Sequence, residues 1–196
     1  MVTSPGEIYI SGLEFATSVV DRFPSAGWEG PSPCAGWRAL DVLGHLGATT
    51  QFGTRLLEGA ATSWQPPSIP GQMVEGEPAS WWRDLALHAL EVARGVDLDR
   101  VVDTPAGRRS VGAGLTFPAV DLYVHSWDLA RSGGFDVEIP AEAIEFSRSV
   151  LERIPEEQLR RPATFAPPAH VSGELTPTGA FVAWTGRDPE WAPPRS

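Results

Sequence analysis

An all-α fold, a four-helix bundle, is what this sequence predicts, on three observations. Apolar residues recur at helical spacing in five segments and do not alternate as in strands. Proline and glycine gather between those segments, where connections belong. The 196 residues, 42% of them hydrophobic, suffice for one domain with a full core. The expected division is a core at about 7–153 and a proline-rich tail at 154–196. Long helices joined by connections of mixed length suit a bundle, whose sites are built from inward side chains of facing helices.

The elements follow in order. Glu7 to Phe23 carries Ile8, Leu13, Phe15, Ala16, Val19 and Val20, a helical stripe. Pro24 to Gly36 is rich in Gly, Pro and Ser and reads as a turn-forming connection. A second helix is expected from about Arg38 to Glu58, with Leu40, Val42, Leu43, Leu46, Phe52, Leu56 and Leu57 on its apolar face. Asp41 in its first turn complements the helix dipole. Ala60 to Glu77 is proline-bearing and reads as a long loop, a length often tied to function. A third helix covers roughly Pro78 to Arg94, with proline in a tolerated early position. Leu98 to Gly114, with Thr104-Pro105-Ala106-Gly107 at its middle, is expected to form a short hairpin or irregular excursion. A fourth helix runs from about Leu115 to Ser132 and stops at Gly133-Gly134. A fifth spans about Ala141 to Arg153, and the tail from Pro155 is expected to wrap the bundle without much regular structure.

Composition narrows the function. A net charge of −10 argues against non-specific nucleic-acid binding, which needs a basic surface. The single cysteine, Cys34, permits no intramolecular disulfide. Met1 to Ile10 lacks a basic segment followed by an apolar run, so a cytoplasmic location is expected. No stretch reaches the ~20 apolar residues that cross a bilayer, so no membrane partner is expected. The eight tryptophans are expected in the core or as pocket walls. There is no exposed heptad seam, and a homodimer is compatible with the sequence.

Chemistry concentrates at two places. Asp121 and His125 are one helical turn apart and point to one side of the fourth helix. His45, on the second helix, could close a set of two imidazoles and a carboxylate that binds a divalent metal with positions left open. The set suits zinc, and nickel, iron or manganese could occupy it. The plainer readings are a core histidine for His45 and a dipole-favoured aspartate for Asp121. Asp128, on the same face, could orient a ligand, or could simply hold the Trp127 indole or a helix end. Arg83, behind Trp81-Trp82, could bind an anionic substrate or be a solvated helical arginine. Arg83 and Asp128 are the candidates for a catalytic role. His88 reads as a surface or half-buried histidine and His170 as structural or exposed. Cys34 could be a soft ligand or nucleophile, although Ser32-Pro33-Cys34-Ala35-Gly36-Trp37 reads more naturally as a packed approach to a helix.

These residues resemble a known family. Trp28, Pro31 to Trp37 and Asp41-Val42-Leu43-Gly44-His45-Leu46 are similar to the opening pattern of the metal-binding domain of mycothiol-dependent maleylpyruvate isomerases. Asp121 to Gly133 resembles its second signature, an acid and a histidine one turn apart followed by a Trp-Asp-Leu-Ala run. The tail, with Phe165-Ala166-Pro167-Pro168 and Gly186-Arg187-Asp188-Pro189, is similar to that of an actinobacterial metal-binding subgroup. The resemblance implies a DinB-like four-helix bundle and a divalent metal, usually zinc, at His45, Asp121 and His125. It also implies metal-bound thiolate chemistry with mycothiol or a similar thiol as cosubstrate. Three departures stand out. Arg38 takes the place of the usual Ser or Thr at the start of the second helix, Asp121 that of the isomerase's glutamate, and the chain is expected to be short for the isomerase's additional C-terminal domain.

The expectation is therefore a metal-dependent thiol transferase or isomerase that activates a small thiol for attack on an electrophilic small molecule. Two alternatives remain open on sequence. One is a hydrolase or lyase that uses metal-bound hydroxide without a thiol. The other is a non-catalytic metal-binding scaffold.

Overall fold

The computed structural model describes residues 4–60, 65–104, 107–161 and 164–194. It is mostly helical. Helices α1 (Pro5–Arg22), α2 (Ala39–Leu57) and α3 (Pro78–Arg94) lead to a two-stranded antiparallel hairpin, β1 (Val101–Thr104) and β2 (Gly107–Ser110). A single turn, α4 (Val111–Gly114), then runs into α5 (Thr116–Ser132). Helices α6 (Ala141–Leu151), α7 (Glu156–Leu159) and α8 (Pro177–Trp184) complete the chain. The hairpin is one of the two forms expected for this stretch, and its expected turn residues Pro105 and Ala106 lie outside the described residues.

The four long helices pack in a cycle: α1 lies against α3 and α5, and α2 lies against the same two. Their apolar stripes meet inside, where Ile8, Leu13, Leu43, Leu46, Trp82, Leu122 and Leu129 are fully buried. Trp82 and Tyr9 bring polar groups into this core with partners. Trp82 Nε1 donates to Thr17 Oγ1 at 3.0 Å, and the Tyr9 hydroxyl donates to the Thr50 carbonyl at 3.3 Å. Both bonds remove the penalty that an unpaired buried donor would carry. Among the described residues no helix is long and apolar enough to cross a membrane.

Two local devices place α2. The helix lacks a side-chain cap at Arg38, as the absent hydroxyl predicts, but the Asp41 carboxylate reaches back and accepts the Arg38 backbone N–H at 2.9 Å. Asp41 also accepts the Gly71 N–H at 3.2 Å, which ties a 3₁₀ turn, Pro70–Met73, across the helix. The approach is so close that a Cβ on Gly44 would lie 2.0 Å from the Pro70 carbonyl oxygen. Only glycine fits there, and His45 is its neighbour.

The tail is more ordered than expected. It contains α7 and α8, and α8 buries Phe181 and Val182. The Thr178 hydroxyl accepts the Ile139 N–H at 2.9 Å, which fastens α8 to the segment before α6. The proline-rich composition hid this helix because Pro177 occupies its first turn, where the missing N–H costs nothing.

Candidate metal centre

Two adjacent turns of α5 and one turn of α2 meet at a single point. The ligand-capable atoms of His45, Asp121 and His125 all lie within 4.8 Å of one another. His45 Nε2 is 3.6 Å from Asp121 Oδ2, too far for a hydrogen bond. Two donor atoms each about 2.0–2.2 Å from a tetrahedral zinc are about 3.4 Å apart, so the spacing fits a shared cation. The two imidazoles stand edge to face with centroids 4.7 Å apart, and the Trp37 ring lies 5.2 Å from that of His45. The Thr49 hydroxyl, one turn after His45, donates to Asp121 Oδ2 at 3.0 Å and holds the carboxylate toward α2.

The protonation states suit metal binding. Burial pushes the His125 imidazole below its ordinary value, so the ring is neutral at pH 7, the ligating form. Burial alone would raise Asp121. The neighbouring His45 and His125 imidazoles and the Thr49 hydroxyl outweigh it and hold the carboxyl below its ordinary value. Asp121 is therefore ionised.

A second layer supports His125. Its Nδ1 lies 2.9 Å from Asp128 Oδ2, and Asp128 is fully buried. Arg187 donates to both carboxylate oxygens, Nε to Oδ1 at 2.8 Å and Nη2 to Oδ2 at 2.7 Å. The Cys34 thiol donates to Oδ2 at 3.2 Å. Burial, and then the Asp128 charge beside it, push the Cys34 thiol far up, so it remains a donor and not a thiolate. The loop holding it is tight: the Trp37 N–H bonds the Cys34 carbonyl at 3.0 Å, and Gly36 between them takes a left-handed φ of 80°. The packed approach to α2 read from the sequence is what the structure contains. Cys34, His125 and Asp128 also form a second group with metal-ligand spacing. The Arg187 guanidinium already neutralises that carboxylate, which disfavours a cation there.

The histidines form the floor of a cavity of about 680 Å³. Pro33, Cys34 and Trp37 line one side, and the tail supplies the other through Arg160, Arg161, Phe165, Thr185 and Arg187. None of the described lining residues is acidic, despite the chain's net charge of −10.

Residues 12–130 match the family model of the mycothiol maleylpyruvate isomerase N-terminal domain. The chain belongs to that family. Two solved structures share its fold, a mycothiol-dependent maleylpyruvate isomerase and a histidine-to-alanine mutant of it. Both are 14% identical, with TM-scores of 0.58 and 0.56, covering 75% of this chain and 68% of theirs. No curated protein matches the sequence. The family region contains Cys34, His45, Asp121, His125 and Asp128, whereas Arg187 and the outer wall of the cavity lie beyond its end at residue 130.

The structure thus brings His45, Asp121 and His125 together. It turns Asp128 toward His125 and Arg187, and neither the Trp127 indole nor a helix end occupies its carboxylate. Arg83 lies elsewhere: its Nε pairs with Asp21 at 2.6 Å on a half-exposed surface, and it does not line the cavity. His88 faces Glu58 at 3.6 Å, half-exposed, and His170 is exposed. Sequence reasoning missed Arg187 and Thr49 as parts of the site. The one available signal for Arg187 was that a buried Asp128 demands a positive partner, and composition offers fifteen arginines for the role.

Proposed function

We propose that this protein is a metal-dependent enzyme of the mycothiol-dependent type, built on a DinB-like four-helix bundle. It activates a low-molecular-weight thiol, mycothiol or a close relative, for attack on an electrophilic small molecule. The observation that carries this reading is the convergence of His45, Asp121 and His125, with both imidazoles lining a cavity. The mycothiol-dependent isomerases of this family, two of whose structures share the fold, supply the thiol.

His45, Asp121 and His125 would hold the metal, zinc by the chemistry of the donor set. Bound there, it would supply the Lewis acidity that lowers a thiol's pKa and makes a thiolate available near neutral pH. The chain's own residues do the rest. Thr49 and Asp128 orient two of the three donors. Trp37 and Phe165 wall the cavity with apolar surface, which excludes water from a reactive nucleophile. Arg160 and Arg161, rather than Arg83, meet an anionic group on the substrate.

The test is elemental analysis of the purified protein followed by a screen of thiols against electrophiles. About one zinc per chain, lost in His45→Ala, Asp121→Ala and His125→Ala but kept in His88→Ala and His170→Ala, is the expected result. Turnover should then require added thiol. Turnover without thiol would replace this reading by metal-hydroxide chemistry, and zinc retained by all three ligand variants would remove the centre altogether.

A further inference from the structure

We propose that Arg187 is a positioning residue of the metal centre: through Asp128 it fixes the orientation and tautomer of His125, so the C-terminal segment governs metal affinity. This rests on the metal reading given above. An ionised carboxylate only accepts hydrogen bonds, so the His125–Asp128 bond of 2.9 Å places the imidazole proton on Nδ1. The lone pair of a neutral ring is then on Nε2, the nitrogen left to face the cluster. Such outer partners set ring orientation and ligand basicity at metal-bound histidines.

Asp128 cannot do this unaided. It is fully buried on α5, and a lone carboxylate there would protonate, rotate or draw in water. Arg187 prevents all three by gripping both oxygens, at 2.8 and 2.7 Å. A bidentate fork leaves the carboxylate one orientation.

Arg187 is itself placed by the tail. After α8 the chain reverses at Gly186, whose φ is 86° and where a Cβ would lie 2.6 Å from the Ala166 carbonyl oxygen. The Arg187 N–H then bonds the Val182 carbonyl at 3.0 Å, and its Nη1 reaches Thr185 Oγ1 at 3.4 Å. Burial of Phe181 and Val182 thus reaches the ligand on α5 through one side chain. A different arginine supplies a control. Arg131 also ties the tail to α5, donating from Nε to the Trp191 carbonyl at 2.8 Å, with no hydrogen bond or ion pair to Asp128 or His125.

The experiment measures zinc affinity by chelator competition on the full chain, and the His125 tautomer by ¹⁵N NMR of the metal-free protein. Arg187→Met is expected to weaken zinc binding by about 10–100-fold. Arg187→Lys, which keeps the charge without the fork, should fall between. Arg131→Met should bind zinc as the wild type does. The wild-type imidazole should carry its proton on Nδ1 and lose that preference in Arg187→Met. Wild-type affinity in a folded Arg187→Met or Arg187→Lys, an equal loss in Arg131→Met, or a proton on Nε2 in the wild type would each overturn the proposal. If the wild type takes up no zinc, the metal reading fails, and the tautomer measurement still decides whether Arg187 positions His125.

Discussion

Replacing Asp128 with Asn tests the buried Arg187–Asp128 pair directly. The substitution keeps the shape and removes one charge. Asp128 has no exposed side-chain surface and Arg187 only 10%, so the guanidinium left behind cannot recover its hydration. Two hydrogen bonds between opposite charges, of 2.8 and 2.7 Å, are reduced to at most one, to a neutral acceptor. Breaking a buried pair by removing one partner costs roughly 3–5 kcal/mol, and an exposed pair about 0–1 kcal/mol. The carbonyl that asparagine retains places the expected loss near the lower end, about 3 kcal/mol. For a chain of this size that corresponds to a Tm lower by about 6–12 °C. Urea unfolding followed by tryptophan fluorescence, with a thermal melt beside it, measures the loss. Asp128→Asn combined with Arg187→Met should lose less than the sum of the two single losses, because neither charge is then stranded. A loss below about 1 kcal/mol, or strict additivity in the double variant, would refute the description of this pair as buried and coupled.

Two further predictions concern the placement of α2. Gly44→Ala forces the Pro70 turn off the helix, since the new Cβ would sit 2.0 Å from a backbone oxygen. The expected cost is about 1–3 kcal/mol, as for overpacking elsewhere, and chemical denaturation measures it. Asp41 links that turn to the helix start. Burial would raise its pKa, but the Arg38 hydrogen bonds and charge and the Gly71 N–H more than offset this and hold it low. A carboxyl depressed on folding stabilises above its ordinary value of 3.8, and the contribution drains as pH falls from there through the lower folded value. Asp41→Asn should therefore cost about 1–2 kcal/mol at pH 7, and the gap to wild type should narrow as the pH falls below 3.8 and through the lower folded value. A gap that persists unchanged in acid would place the stabilisation elsewhere.

Much of this protein was legible from local pattern. Helix periodicity is a short-range property, so the long helices fall where the apolar stripes place them, and α3 runs from Pro78 to Arg94 as expected. The Asp121–His125 spacing is likewise local, because four residues make one turn whatever surrounds the helix. The match of residues 12–130 to the mycothiol maleylpyruvate isomerase N-terminal family bears out the resemblance read from the motifs around His45 and His125. Arg83 shows the limit: a helical arginine beside tryptophans has no spacing rule that says which face it takes, and packing turned it to Asp21.

What the sequence by itself determined is where the long helices run and which residue types share a face on them, because those follow from backbone geometry within a few residues. Only the tertiary structure decided that His45 meets Asp121 across 76 residues' worth of chain, within 3.6 Å. It also decided that a proline-rich tail folds into α8 and sends Arg187 to Asp128, 59 positions away. Such contacts depend on how buried apolar surfaces from distant segments fill one core, and no local period encodes that.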